Sequence, residues 1–306
     1  MFRFAHLSDP HLPLPDVRLR ELFSKRVTGW MSWRYRRKSI HAPDALAAAV
    51  ADLHRARPDH IALTGDIANI STAAEFQQAA TWLGELGRPE DVTLVPGNHD
   101  AYVPVAWAAS LGLWGAYMAG DGAAPPTSRD DFPLLRRRGP VAFVGLSTAV
   151  PRAPGIATGE VGTGQLARFE AMMRGLQDMC RVVLIHHPPQ IGGAKWHKEL
   201  SDQRAVREAI ARVGADLVLH GHMHRTMLGR IDSPAGPVPV LGVASTSAHP
   251  GSKYGAGGYN LIAVERDPAG GWSFDVEVRS IRADLTGCDT GNRFRLRSPA
   301  PRALAA

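Results

Sequence analysis

The chain has 306 residues, 44% of them hydrophobic, enough to bury a full core in one large α/β domain or two ordinary ones. No apolar run reaches the roughly 18 residues that span a bilayer, and Cys180 and Cys288 lie far apart, as two free thiols of a reduced compartment would. The charge is uneven: Arg18 to Lys38 holds eight basic residues and one acid, +7 against a whole-chain +6, which leaves −1 elsewhere and disfavours a uniformly basic nucleic-acid binder.

Short apolar runs alternate with helical patterns, which predicts a layered α/β fold. "RFAHLSD" (3–9) reads as the first strand, and 43–57 as a helix with Pro43 and Asp44 in its first turn and Pro58 past its end. Strand 60–66, helix 73–86 and strand 92–98 follow; 101–119 reads as helix with glycine interruptions and 120–131 as loop. Strand 140–148, helix 163–179, strand 181–187, helix 202–214 and strand 215–222 continue the alternation. From about 226 to 282 the pattern is β-hairpins, in "TMLGRI", "VPVLGVA", "YNLIAVE" and "SFDVEVRSI". No repeat or linker divides the chain, so 1–290 reads as a single domain with a basic aromatic insertion at about 14–40, and 291–306 as a frayed tail.

Five strands lead into loops rich in metal-type donors. The loops hold Asp9 and His11 in "DPH", Asp66 and Asn69 in "GDIAN", and Asn98, His99 and Asp100 in "GNHD". Two later ones hold His186 and His187 in "HHPP", and His222 and His224 in "GHMH". Ligands in α/β sheets sit beyond the carboxyl ends of strands. Side by side, these loops would gather carboxylates, imidazoles and an amide at one edge, a set without thiolate that suits manganese, iron or zinc. Each piece alone has an ordinary reading, Gly-Asp as a turn and His-His-Pro-Pro as a strand ended by prolines. All five in order point to chemistry.

The ordered set Asp-x-His, Gly-Asp, Gly-Asn-His-Asp, His-x-Pro and Gly-His-x-His closely resembles the calcineurin-like metallophosphoesterases. The resemblance implies a four-layer α/β/β/α sandwich of two packed mixed sheets, its second sheet including the terminal hairpins, around a binuclear metal centre. By motif, Asp9, His11 and His224 would bind one metal, Asn98, His186 and His222 the other, and Asp66 would bridge them. His186 is chosen over His187 because the pattern is His-x-Pro.

Two cations about 3.5–4 Å apart can bind a phosphoryl oxygen, lower the pKa of a bridging water and align that hydroxide for attack. A carboxylate such as Asp66 has two oxygens for a bridge, and the Asn98 amide can coordinate without cancelling charge. The His99 ring can protonate near neutral pH to stabilise the phosphoryl group or the leaving oxygen, with Asp100 orienting it. Protein phosphatases of the superfamily carry an aspartate followed by Arg-Gly where this chain has Asn69, Ile70 and Ser71, and a glutamate where it has Asp100. The pattern looks more like the bacterial phosphodiesterase branch, including cyclic-nucleotide and glycerophosphodiester enzymes. His6, His41, His54, His60 and His249 need no special role.

The loop 188–200, with His187 before it and Lys195, Trp196 and His197 within it, is a candidate specificity loop over the substrate. In 18–38, Leu19, Leu22, Phe23, Val27, Trp30 and Met31 recur at helical spacing. That segment is a helix packed on the domain by its apolar side, or a helix on an anionic membrane surface with Trp30, Trp33 and Tyr35 at headgroup level, or, third and disfavoured by the −1 remainder, a nucleic-acid groove with aromatics for stacking. Asp9 lies too early for a cleaved signal peptide, so the expected location is cytoplasmic, with contact at the inner membrane face under the second reading. The leading expectation is a metal-dependent phosphodiesterase acting on a small phosphate ester. Its alternatives are a pyrophosphate hydrolase resembling those for UDP-diacylglucosamine, and a metal-binding scaffold without chemistry.

Overall fold

A computed structural model of the chain describes residues 1–299. Two six-stranded mixed sheets pack face to face, with helices outside, in a four-layer α/β/β/α sandwich. In chain order the strands are β1 (Phe2–Leu7), β2 (His60–Leu63), β3 (Val92–Leu94), β4 (Leu134–Arg138), β5 (Val141–Leu146) and β6 (Cys180–Ile185). They continue as β7 (Leu217–His220), β8 (Met227–Ile231), β9 (Val238–Gly242), β10 (Gly258–Arg266), β11 (Trp272–Ile281) and β12 (Cys288–Arg297). The first sheet runs β12-β11-β10-β1-β2-β3 and the second β4-β5-β6-β7-β9-β8. The helices are α1 (Arg26–Ser32), α2 (Pro43–Ala56), α3 (Ala73–Leu86), the single turn α4 (Gly115–Met118), α5 (Thr163–Arg174) and α6 (Gln203–Val213).

The two-residue strand period builds both sides of the second sheet. Val141 and Phe143 of β5 and Val182 and Leu184 of β6 face the core between the sheets, where Phe4 meets Phe143 edge-on at 5.2 Å between ring centres. Ala142, Val144 and Leu146, with Val183 and Ile185, face outward and are covered by Phe169 and Met173 of α5 and Val206 and Ile210 of α6. On the far side α2 is tied to the first sheet by a buried carboxylate. Asp52 accepts from Tyr259 Oη at 2.8 Å, Arg279 Nη2 at 2.9 Å and Arg55 Nη2 at 3.2 Å. α3 starts with a capping box: Thr72 accepts from Glu75 N, and the Glu75 carboxylate accepts from Thr72 N and also from Asn69 N at 2.6 Å.

The structure corrects the sequence reading in four places. The terminal hairpins divide: β8 and β9 join the second sheet, whereas β10, β11 and β12 extend the first, β10 lying antiparallel to β1. Hairpin periodicity does not specify which sheet edge a hairpin joins. Residues 291–297 are not frayed but finish β12, whose arginines pair across the strands, Arg295 with Asp275 at 2.6 Å and Arg293 with Glu277 at 3.1 Å. An edge strand with one solvent face reads as polar. The end of the supposed tail, 300–306, lies outside the described residues. β4 carries three arginines and gave no strand signal, and 101–119 is three short helical turns with buried Leu111, Trp114 and Met118 instead of one helix.

Candidate metal centre

The five donor-rich loops converge, though from two sheets. β1, β2 and β3 are parallel neighbours in one and β6 and β7 in the other, and their carboxyl ends meet across the sandwich. Backbone bonds stitch the loops together: Asp9 N donates to Gly65 O, His11 N to Asp66 O and Gly221 N to His186 O. The motif glycines permit the approach. A Cβ on Gly97 would strike Asp66 Oδ1, and one on Gly221 would strike Ser8 Oγ. Asp9, His11, Asp66, His222 and His224 all have φ between 37° and 68°, a left-handed backbone that non-glycine residues rarely adopt. Such strain, of order 1–3 kcal/mol per residue, clusters at functional sites.

The expected ligand atoms lie together. Asp66 Oδ2 is 3.3 Å from His186 Nε2 and 3.9 Å from His11 Nε2, between the two groups assigned to it. Asp9 Oδ1 is 3.2 Å from His224 Nε2, and Asn98 Oδ1 is 3.2 Å from His186 Nε2. Two triads, Asp66-His186-His222 and Asp9-His11-Asp66, each have donor atoms within 4.8 Å of one another, and Asp66 belongs to both. Backbone carbonyls orient two of the rings: His11 Nδ1 donates to Ala68 O at 3.2 Å and His186 Nδ1 to Thr64 O at 2.6 Å, which aims both Nε2 lone pairs inward. The other carboxylate oxygens are held by backbone, Asp9 Oδ2 by His222 N and Asp66 Oδ1 by His99 N.

Three atoms test whether this set fits a cation. Asp9 Oδ1, His222 Nε2 and His224 Nδ1 are buried without a hydrogen-bond partner, a costly condition that coordination of the first two would relieve. The donors are oxygen and imidazole nitrogen, suited to manganese, iron or zinc, and the buried cysteines stand outside all the clusters. The residues fit. Burial opposes charge at His186, yet the Asp66 carboxylate pushes it up to about 9; Asp66, against its own burial, is held well below the usual range by His186. This carboxylate–imidazolium pair holds a proton that a metal ion would displace. Burial, with Arg37 next, keeps His11 neutral, and burial with His187 keeps His222 neutral, the ligating form of imidazole.

Several assignments made from sequence change. Asp100 does not orient His99: it accepts from the backbone N–H of Asp66, Gly97, Ile67 and Ala68 at 2.8–2.9 Å, clamping two donor loops together. The His99 ring is not a ready cation, because burial and then Arg37 lower its pKa to about 3. Its Nδ1 donates to Asn69 O at 2.6 Å, and Arg37 Nη1 lies 3.1 Å from its Nε2. His187 is buried, with Nδ1 2.7 Å from Thr148 Oγ1 and Nε2 donating to Ala157 O at 3.0 Å, so neither ring nitrogen is left for substrate. Lys195, Trp196 and His197 do not line the cleft over the centre; Lys198 does.

That cleft, about 270 Å³, also takes Arg36, Arg37, His41, Lys253 and Tyr254 as walls, all missed from sequence. Arg37 enters through a π-helical turn, Trp33–Arg37, where Lys38 N reaches back to Trp33 O, and its Nη2 lies 2.6 Å from His11 Nε2. His41, thought to need no role, stacks under Trp33, lies 4.5 Å from the His11 ring, and forms a third cluster with His11 and His224. A larger groove of about 620 Å³ between α2 and α3 is lined mainly by apolar side chains such as Leu46, Val50 and Trp82 and lacks such a convergence.

Known proteins resemble this chain in sequence and in fold. The family model for calcineurin-like phosphoesterases matches residues 2–226. The chain is 28% identical over 188 residues to "Glycerophosphodiester phosphodiesterase GpdQ" of Enterobacter lignolyticus, an alignment covering 60% of this chain and 56% of that protein. A dimetal phosphatase structure from Danio rerio superimposes with a TM-score of 0.62 at 15% identity, over 94% of this chain and 98% of the other. A purple acid phosphatase from Lupinus luteus does so with 0.59 at 12%, over 100% and 57%. With three quarters of its length matched by the family model, the chain belongs to the calcineurin-like phosphoesterases.

Proposed function

We propose that the chain hydrolyses phosphodiesters at a two-metal centre held by Asp9, His11 and His224 on one side, Asn98, His186 and His222 on the other, and Asp66 between. The observation that carries this reading is Asp66 Oδ2, which faces imidazoles of both groups. Two bound cations supply Lewis-acid polarisation of the phosphoryl group and activation of a water nucleophile. The name of the 28% identical relative, and Asn69 and Asp100 where protein phosphatases differ, support diesters over phosphoproteins.

The chain's own part is binding and orientation. Arg37 donates to His11 Nε2, but one lone pair cannot serve both an N–H donor and a metal ion. Arg37 therefore needs another acceptor, and a phosphoryl oxygen is the one a phosphate ester brings. Lys198 and Lys253 add positive charge to the cleft wall. His99, neutral and fixed by Asn69 O, positions Arg37 and is not itself the acid.

The test is hydrolysis of bis-p-nitrophenyl phosphate and p-nitrophenyl phosphate by metal-stripped protein reloaded with manganese. Faster cleavage of the diester supports the proposal; faster cleavage of the monoester overturns the diester preference. His99→Ala and Arg37→Ala should each keep bound metal and lose roughly 10²-fold in kcat. The double variant should be no worse than Arg37→Ala, and multiplicative losses would give His99 a role of its own.

A further inference from the structure

The basic segment 18–38 packs on the domain by one side and leaves other apolar side chains exposed. On α1 and the turn after it, Gly29 and Trp33, one helical turn apart, face inward, Gly29 so close to Ile70 and Tyr102 that a Cβ would clash. Val27 and Met31 lie on the opposite face, with Tyr35 a turn beyond. Ahead of α1, a short 3-10 helix, Leu19–Leu22, and the turn after it expose Leu19 and Phe23 as well. All five are exposed: Leu19 80%, Phe23 89%, Val27 38%, Met31 49% and Tyr35 75%. Arg18, Arg20, Arg34, Arg36 and Lys38 are exposed beside them, and among the described residues none has an ion-pair partner.

We propose that this outer surface docks on an anionic lipid bilayer, Leu19, Phe23, Val27, Met31 and Tyr35 entering the headgroup boundary and the five cations meeting lipid phosphates. Exposed apolar side chains flanked by unpaired cations suit a surface that is greasy below and anionic above. Two other occupants fit worse. A second copy would set two +7 segments against each other across a twofold axis. Nucleic acid would use the cations and could stack a base on Phe23 or Tyr35, but it would leave Leu19, Val27 and Met31 without a partner, and the charge outside the segment sums to −1. The same segment supplies Ser32, Arg36 and Arg37 to the cleft wall, so docking would set the cleft beside the membrane surface.

The experiment is co-sedimentation of the full chain with vesicles of phosphatidylcholine alone or with about one third phosphatidylglycerol, at about 0.1 M and 1 M salt. Binding to the anionic vesicles only, weakened at high salt, is expected. Leu19→Ser with Phe23→Ser should lower partitioning at least roughly tenfold while hydrolysis of a water-soluble diester stays unchanged. Arg20→Glu with Arg34→Glu should do the same, a second test should the first variant fold poorly. Binding that ignores lipid charge, no binding to either vesicle, or a dimer in light scattering that Leu19→Ser with Phe23→Ser disperses would each overturn the proposal. The readout is independent of turnover: metal-stripped protein should bind vesicles equally well, so an error about the substrate would leave this result standing.

Discussion

Two clusters of buried charge in this molecule are built on opposite plans. Around Asp52, Tyr259, Arg279 and Arg55 give both carboxylate oxygens partners, and the cluster ties α2 to the first sheet. Around Asp66, carboxylates and imidazoles sit deeper than those arginines, yet Asp9 Oδ1 and His222 Nε2 have no partner and five backbones are left-handed. The first cluster is complete within the chain. The second is complete only with something added. Ligating atoms left without partners and gathered in one place mark the second as a site, and the satisfied carboxylate marks the first as a structural network.

Asp66→Ala should break the contrast most severely. Loss of the carboxylate common to both triads should lower metal affinity by more than about 100-fold and turnover by roughly 10³-fold. Metal analysis after dialysis and steady-state kinetics check this; two tightly retained ions would refute the bridging assignment. Asp52→Ala should act on stability instead, costing about 1–3 kcal/mol by leaving Tyr259 Oη and Arg279 Nη2 without their carboxylate while Glu277 still pairs Arg279 Nη1, read from the denaturant midpoint, with metal content unchanged. A loss of metal at an unchanged midpoint would abolish the distinction between the clusters.

In metal-stripped protein both clusters should lose stability in acid, Asp66 being held low against burial by His186, and His11 and His222 kept neutral chiefly by burial, but only the Asp66 cluster should lose it in alkali. Burial opposes ionisation of Asp52, but Tyr259 and Arg279 win and hold its pKa below the usual 3.8. Its contribution is present above about pH 4 and lost as pH falls through the lower folded value. His186 is raised from 6.5 to about 9, Asp66 overcoming burial, so its contribution is full below 6.5 and lost as pH rises through about 9. Chemical denaturation across pH should show both flanks, and reloading with metal should remove the alkaline one, which His186 alone supplies. The smallest effect is expected from His41→Ala. His41 Nδ1 is engaged by Ser247 Oγ at 2.8 Å and its ring packs on His11, so its loss should weaken metal binding only about tenfold. An effect as large as that of Asp66→Ala, measured by competition with a chromophoric chelator, would make His41 a ligand.

The difference between the clusters also explains what could be read from sequence. Ligand candidates were legible because each sits in a loop directly after a strand, so local motifs carry the chemistry and the alternation of strands and helices carries the placement. Asp52 was invisible: its partners Tyr259 and Arg279 lie more than 200 residues away in hairpins whose sheet the pattern did not specify. Arg37 and His41 escaped for a related reason, since only the docking of the insertion by Gly29 and Trp33 carries them to the cleft. Asp100 was seen but misassigned, because four bonds to backbone N–H groups leave no trace in residue identity.

The left-handed backbone at Asp9, His11, Asp66, His222 and His224 bears on any attempt to improve this protein by directed evolution. Glycine adopts those angles freely, and asparagine more readily than most residues. A library sorted for thermal tolerance alone would enrich both at these five positions, and each winner would be a sturdier scaffold with less of a catalyst. Screens on this chain need turnover in the readout from the first round.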